Sequence, residues 1–261
     1  MPPVILSIAG SDCSAGAGLQ ADLKTGFALG CYPLTAVTCV VNEVPGKVEG
    51  IVPMEPEFVA AQVRLCLQSF PVQGIKTGML YSPQIVEAVA AELANYTGPL
   101  VVDPVMIATA GEALMLQEAI ASYENLLLPR TTLLTPNMDE LQKLCGTGTI
   151  RTVEEMAAAA QQLCARFGCA VLAKGGHLGG ATCTDILVQP NAEPILHSHP
   201  RTVDISTHGT GCTLSSAVTS YLALGHPLPQ AVRLSLDYVA GAIAHSHRLG
   251  EMDALNHGFL L

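Results

Sequence analysis

The chain reads as an α/β protein built on a mainly parallel sheet with helices on both faces. Three observations predict this. Short β-branched apolar runs alternate with longer segments of helical period. Several helical segments open on Ser, Thr or Pro, the residues that suit a helix entry. The informative polar residues fall at or just after the strand ends, where open α/β sheets place their ligands. At 261 residues the chain can bury a large core, and one domain spanning 1–261 is the expectation.

In chain order, residues 4–9 read as the first strand, followed by a small-residue loop that enters a helix. Residues 35–41, 74–78, 100–105, 132–135 and 170–174 read as further strands. Between them, residues 57–69, 83–95 and 153–167 carry the helical period, as do 211–224 and 229–245. Residues 179–199 are polar and turn-rich, with a short strand over 184–188, and suggest a hairpin. There is no internal repeat, low-complexity segment or Pro/Ser-rich linker.

Composition excludes several classes of function. Net charge is −10 with 12 Lys and Arg, no basic run and few aromatics, so neither a phosphate-tracking surface nor a base-stacking platform is present. Nucleic acid is not an expected partner. The N-terminal residues lack the basic start and longer apolar core of a signal peptide, and no apolar stretch approaches the roughly 20 residues needed to span a bilayer. A cytoplasmic protein with no membrane partner is expected. The nine cysteines are scattered, with no Cys-x-x-Cys pair and no zinc-type Cys/His spacing, as expected of reduced core residues.

The run Thr207-His208-Gly209-Thr210-Gly211-Cys212-Thr213-Leu214-Ser215 is a glycine-spaced turn opening onto a helix. Its amides and the free N–H groups of the helix start form a cradle for a phosphate. A cysteine there has its thiol pKa lowered by the helix end, so Cys212 is expected to take a proton near neutral pH. The plain alternative is a tight left-handed turn beside a small buried cysteine. After the first strand, Gly10-Ser11-Asp12-Cys13-Ser14-Ala15-Gly16-Ala17-Gly18 leads into a helix carrying Asp22. This is neither a Walker A loop nor a Gly-x-Gly-x-x-Gly, because Ala21 stands at the third position. Asp22 lies on a small apolar face and needs a partner, either a backbone or cation neighbour or a substrate hydroxyl.

Three more strand ends carry polar groups. Asp103 in Asp103-Pro104-Val105-Met106 can hold Mg²⁺ through water. Asn137 and Glu140 have the spacing of a capping box, which alone would explain both. Lys174, in Lys174-Gly175-Gly176-His177, either neutralises phosphate or lies along the surface. Together these groups suit a polyphosphate and its metal.

The ordered set Gly10 to Thr25, Lys76-Thr77-Gly78-Met79-Leu80, Asp103 to Met106, Thr135-Pro136-Asn137 with Glu140, Lys174 to His177 and His208 to Ser215 resembles the hydroxymethylpyrimidine/phosphomethylpyrimidine kinases of thiamine biosynthesis. The resemblance runs over nearly the whole chain. It implies a ribokinase-like three-layer sandwich and transfer of the ATP γ-phosphoryl group, with Mg²⁺, to 4-amino-5-hydroxymethyl-2-methylpyrimidine and then to its monophosphate. It implies that Cys212 is the base, that Gly209, Thr210, Gly211 and Cys212 form the anion hole, and that Gly10, Asp22, Met79 and Val105 surround the pyrimidine. Asp22 would orient the alcohol. Asp103 and Glu140 would serve the metal, and Lys174, Asn137 and Thr210 the nucleotide. Homodimers are common among such kinases.

The chain departs from that pattern at three places. Glu43 stands where the family usually has glutamine to read the aminopyrimidine, and a carboxylate cannot donate to a ring nitrogen unless it or the ring is protonated. Ala108-Thr109-Ala110 lacks the usual lysine, and Ala15 replaces a usual glycine. A pyridoxal or pyridoxine kinase is the main alternative, although Ala108 stands where that branch has a second cysteine. Hydroxyethylthiazole kinases share the Gly-Thr-Gly-Cys turn but not the long first loop. A non-catalytic pyrimidine-binding protein is the alternative of another class. Residues 107–113 are small and suit a flap over the substrate.

Overall fold

Strand β1 (Val4–Asp12) is an apolar run buried at nearly every position, and it lies inside the sheet, third from one edge. The computed structural model describes residues 1–106, 114–176, 178–179, 181–201 and 208–261. Strand β1 pairs in parallel with β2 (Tyr32–Val44) on one side and β4 (Val72–Thr77) on the other. The parallel set continues through β5 (Leu100–Val102), β6 (Leu133–Leu134) and β7 (Ala170–Ala173). Antiparallel strands flank it: β3 (Lys47–Pro53) beside β2, then β8 (Thr182–Val188) and β9 (Ile195–Pro200) beyond β7. The order is β3-β2-β1-β4-β5-β6-β7-β8-β9.

Helices cover both faces, giving three layers. On one face α2 (Pro56–Ser69), α3 (Pro83–Glu92), α5 (Met138–Cys145) and α6 (Val153–Phe167) pack against Leu6, Ile8, Ile75, Val102 and Val171. The short α4 (Ala119–Ser122) and the wide turn Tyr123–Leu127 complete that layer. On the other face α7 (Thr210–Ala223) and α8 (Leu228–Ala244) cover Val101, Leu133, Ala170 and Leu172, with α1 (Gly18–Ala28) packed beside α7. Each fully buried Leu or Ile in these layers contributes about 1.5–3 kcal/mol relative to exposure.

All six expected strands and all five expected helices form, and residues 179–199 hold the expected hairpin arms. The strand expected over 100–105 stops at Val102. Asp103 N bonds Thr77 O, Pro104 has no N–H, and Val105 N turns back to Asp103 O. This break swings Asp103 out at the sheet's end. Strand β3 was not expected, because it is an exposed edge strand with little apolar signal, reached through a turn at Gly46 with φ +82°. The helix expected over 83–95 ends at Glu92. The proposed flap at 107–113, with Ala108, Thr109 and Ala110, and also His177 and Thr207, lies outside the described residues.

Candidate active site

The first loop and the glycine turn before α7 are packed backbone against backbone. Asp12, at the end of β1, gathers the loop: its carboxylate accepts from the amides of Ser14, Gly16 and Ala17 at 2.7–3.0 Å and from Ser14 Oγ at 3.0 Å. His208 Nε2 lies 3.0 Å from the same carboxylate and ties the loop to the turn. Burial alone would raise the Asp12 pKa, but the bonds from His208, Ser14 and Ala17 outweigh it and hold the group at about 2. At Gly209, φ is +83° and a Cβ would sit 1.9 Å from Gly16 O, so only glycine fits. Ala15 also has positive φ, +61°, where glycine would be unstrained.

Helix α7 begins immediately after Gly209, so the first-turn amides of Thr210, Gly211 and Cys212 have no partner within the helix. These are the expected anion-hole residues, and all four from Gly209 to Cys212 line one cavity. At Gly211 a Cβ would lie 3.3 Å from Lys174 Nζ and 3.5 Å from Asp103 Oδ2, which brings the lysine and the carboxylate onto the helix start. The Gly18 amide, at the start of α1, bonds the Cys212 sulfur. Two helix N-termini therefore meet at that thiol.

The expected fall in the Cys212 pKa is not found. Burial pushes the thiol up to about 12, against the pull of Lys76 and the Gly18 amide, with Asp22 and Asp103 adding to the rise. The loss of solvation outweighs the Lys76 charge and the Gly18 amide together.

Asp22 has its partner. Lys76 Nζ lies 2.8 and 3.0 Å from the two carboxylate oxygens, and Ser7 Oγ donates to Oδ2 at 2.5 Å. Both charged residues are 1 % exposed. Burial works against the Lys76 ammonium, but the Asp22 charge holds its pKa above the ordinary lysine value. Lys76 lines the cavity and Asp22 does not, and the cation neighbour expected as one of two partners for this carboxylate is present. Lys76 is a cavity-lining cation to which the sequence analysis, although it quoted the residue in a motif, gave no role. Its signal was a lysine at the end of an apolar strand, which needs a buried counter-charge, just as Asp22 did.

At the neighbouring strand ends, Lys174 Nζ lies 3.0 Å from Asp103 Oδ1, which also accepts from Thr135 Oγ1. Lys174 is thus an inward-facing cation, not a surface one. Asn137 caps α5: its Oδ1 accepts from Glu140 N at 2.9 Å, and Glu140 Oε2 accepts from Asn137 N at 2.8 Å. The capping reading therefore holds, yet both residues also line the cavity. Burial raises the Glu140 carboxyl to about 7, Asp103 adds to that, and Lys174 opposes it. Asp103 Oδ2 faces Gly211 and would be the better placed of the two carboxylates to hold a metal. Both Glu140 oxygens are engaged by the amides of Asn137 and Met106. This donor set fits a hydrated Mg²⁺ better than a closed protein cage.

The cavity measures about 580 Å³, within the range of small-ligand sites, and runs along the carboxyl ends of the parallel strands. At the β2–β3 end Gly10, Val41, Glu43, Met79 and Val105 line it, so the expected pyrimidine residues other than Asp22 come together. At the β8–β9 end Leu214, Leu236, Val239 and Ile243 supply an apolar wall that sequence reasoning did not assign. There Cys183, Asp185 and His199 bring ligand-type atoms within 4.8 Å of one another, a grouping made across the hairpin and invisible to sequence spacing. Asp185 is engaged by the Gly175 amide at 2.9 Å.

The family model for phosphomethylpyrimidine kinase matches residues 12–256. The chain is 42% identical to the hydroxymethylpyrimidine/phosphomethylpyrimidine kinase of Streptomyces coelicolor, covering 100% of this chain and 96% of that protein. It is also 42% identical to a putative kinase of the same description from Schizosaccharomyces pombe, over 98% of this chain but only 50% of that longer protein. Among solved structures it is similar to the ADP complex of Bacillus subtilis pyridoxal kinase. That match has a TM-score of 0.91 at 30% identity and covers 100% of this chain and 99% of that one.

Proposed function

Because the chain belongs to the phosphomethylpyrimidine kinase family and is a kinase of that kind, we propose that it transfers the ATP γ-phosphoryl group to the hydroxymethyl group of an aminopyrimidine and then to the resulting monophosphate. The observation that carries this reading is the convergence on one cavity of the α7 helix start, Lys76, Lys174 and Asp103. Phosphoryl transfer needs positioned donors and cations more than covalent chemistry, and these are such groups.

In this reading the amides of Gly209 to Cys212 receive the transferring phosphoryl group, with Lys76 on one side and Lys174 on the other. Thr210 and Asn137 add polar contacts to the nucleotide, and the β8–β9 end takes its base. Asp103, with Glu140 acting through water, would hold Mg²⁺, and the chemistry supplied there would be neutralisation of phosphate charge. Gly10, Glu43, Met79 and Val105 enclose the pyrimidine. Cys212 is the proposed base. Its raised pKa means that it starts as a thiol, so its share of thiolate, and with it the rate, grows with pH; the hydroxyl proton leaves late, when a strong base is useful. Asp22 is a positioning residue that acts through Lys76.

The reading extends to one domain over 1–261, a homodimer and a cytoplasmic location, the last in keeping with nine cysteines free of disulfides. No helix among the described residues is long and apolar enough to cross a membrane.

The test is ADP release with Mg-ATP and, in parallel, the hydroxymethylpyrimidine, its monophosphate and pyridoxal. Turnover on both pyrimidines is expected. Turnover on pyridoxal alone would transfer the substrate to the pyridoxal kinases, and no turnover on any of the three would overturn the proposal.

A further inference from the structure

The β2–β3 end of the cavity is walled by Val41, Val48, Met79, Val105 and Leu114, and one carboxylate, Glu43, lines it with them. The Glu43 side chain is half-buried, and no hydrogen bond or ion pair among the described residues engages it. Only its backbone carbonyl accepts from a side chain, Cys13 Sγ at 3.2 Å. A half-buried carboxylate with no partner is costly, and as an acceptor-only group it calls for a ligand that brings donors.

An aminopyrimidine brings one. Its exocyclic amino group donates, but the adjacent ring nitrogen presents a lone pair to the second carboxylate oxygen, and two acceptors repel. One added proton turns that repulsion into a hydrogen bond and makes the contact bidentate and charge-assisted.

Resting on the pyrimidine reading above, we infer that Glu43 makes this a proton-coupled binding site: the aminopyrimidine binds with one proton taken from solvent and shared between the ring nitrogen and the Glu43 carboxyl. The proton is consumed on binding and returned on release, so no other reactant is needed. The charged and titratable groups around Glu43 favour this. Asp12, on the end of β1, adds negative charge, while His208, before α7, opposes it but is itself bound to Asp12. Lys47, across the β2–β3 hairpin, is engaged by Glu49 at 2.5 Å. Cys39, on β2, is a thiol pushed up to about 11 by burial and carries no charge near neutral pH. Burial and Asp12 hold the Glu43 carboxyl above its ordinary range, which lowers the cost of the added proton.

The experiment is calorimetric titration of the full chain with 4-amino-5-hydroxymethyl-2-methylpyrimidine, without nucleotide, at pH 8 in two buffers of different ionisation enthalpy. It is repeated across pH and with Glu43→Gln. Wild type should take up close to one proton, with Kd rising about tenfold per pH unit on the alkaline side. Glu43→Gln, whose amide can donate without a proton, should bind with uptake near zero and a flat pH profile. Wild-type binding without proton uptake would overturn the inference alone, as would an undiminished uptake in Glu43→Gln. No pyrimidine binding by either protein would sink the underlying reading, and this inference with it.

Discussion

Two residues define the electrostatics of the centre, and each makes a prediction. Replacing Lys76 by Met leaves the Asp22 charge buried without its cation, which should cost about 3–5 kcal/mol in denaturant unfolding. The double variant Lys76→Met/Asp22→Asn should regain part of that stability but not activity, because Lys76 is the member that lines the cavity. Asp12 predicts the acid limb. Its folded pKa of about 2 lies below the reference 3.8, so its contribution is present in full above pH 3.8 and is lost as pH falls through about 2. Asp12→Asn should therefore lose about 2 kcal/mol near neutral pH and show a flatter stability profile between pH 4 and 2, measured by urea unfolding across pH. The residue types at the site were legible in the sequence, since Asp103, Lys174 and Cys212 all stand at strand or helix ends. The pairing of Lys76 with Asp22 was not, because it joins residues 54 positions apart and neither residue names its partner. Nor was the Cys212 pKa, which depends on burial that spacing does not reveal.

At the scale of the element, the α7 turn is the piece that sequence reasoning located most directly, and its glycines make it testable. Gly209→Ala places a Cβ against Gly16 O and forces a left-handed residue, so it should cost more than about 2 kcal/mol and break the docking of the first loop, read as a lower unfolding midpoint. Gly211→Ala meets only side-chain ends, Lys174 Nζ at 3.3 Å and the Asp103 carboxylate at 3.5 Å, and no backbone. It should leave stability within about 0.5 kcal/mol while raising KM for ATP, a split that a purely structural turn would not show. Helix α6 was legible to the residue, because Thr152 and Glu155 form a capping box at its start and Gly168 a left-handed cap at its end. Strand β3 lacked any such signal, being an exposed edge strand set by a turn.

Across the whole molecule, three layers were readable because alternating strands and helices leave few topologies open. The joining of loops from β1, β4, β5, β6 and β7 into one cavity follows from that parallel order. What the order leaves open is the chemistry at the meeting point, and the central claim is that Cys212 accepts the proton there. The direct measurement is kcat against pH for wild type and Cys212→Ala, at saturating Mg-ATP and hydroxymethylpyrimidine. The account predicts a wild-type kcat that rises with pH, since thiolate forms from a thiol whose pKa is raised. It also predicts a loss of about 10²- to 10⁴-fold in the variant, with the rise abolished. A Cys212→Ala enzyme that keeps wild-type kcat and the same pH profile would contradict it.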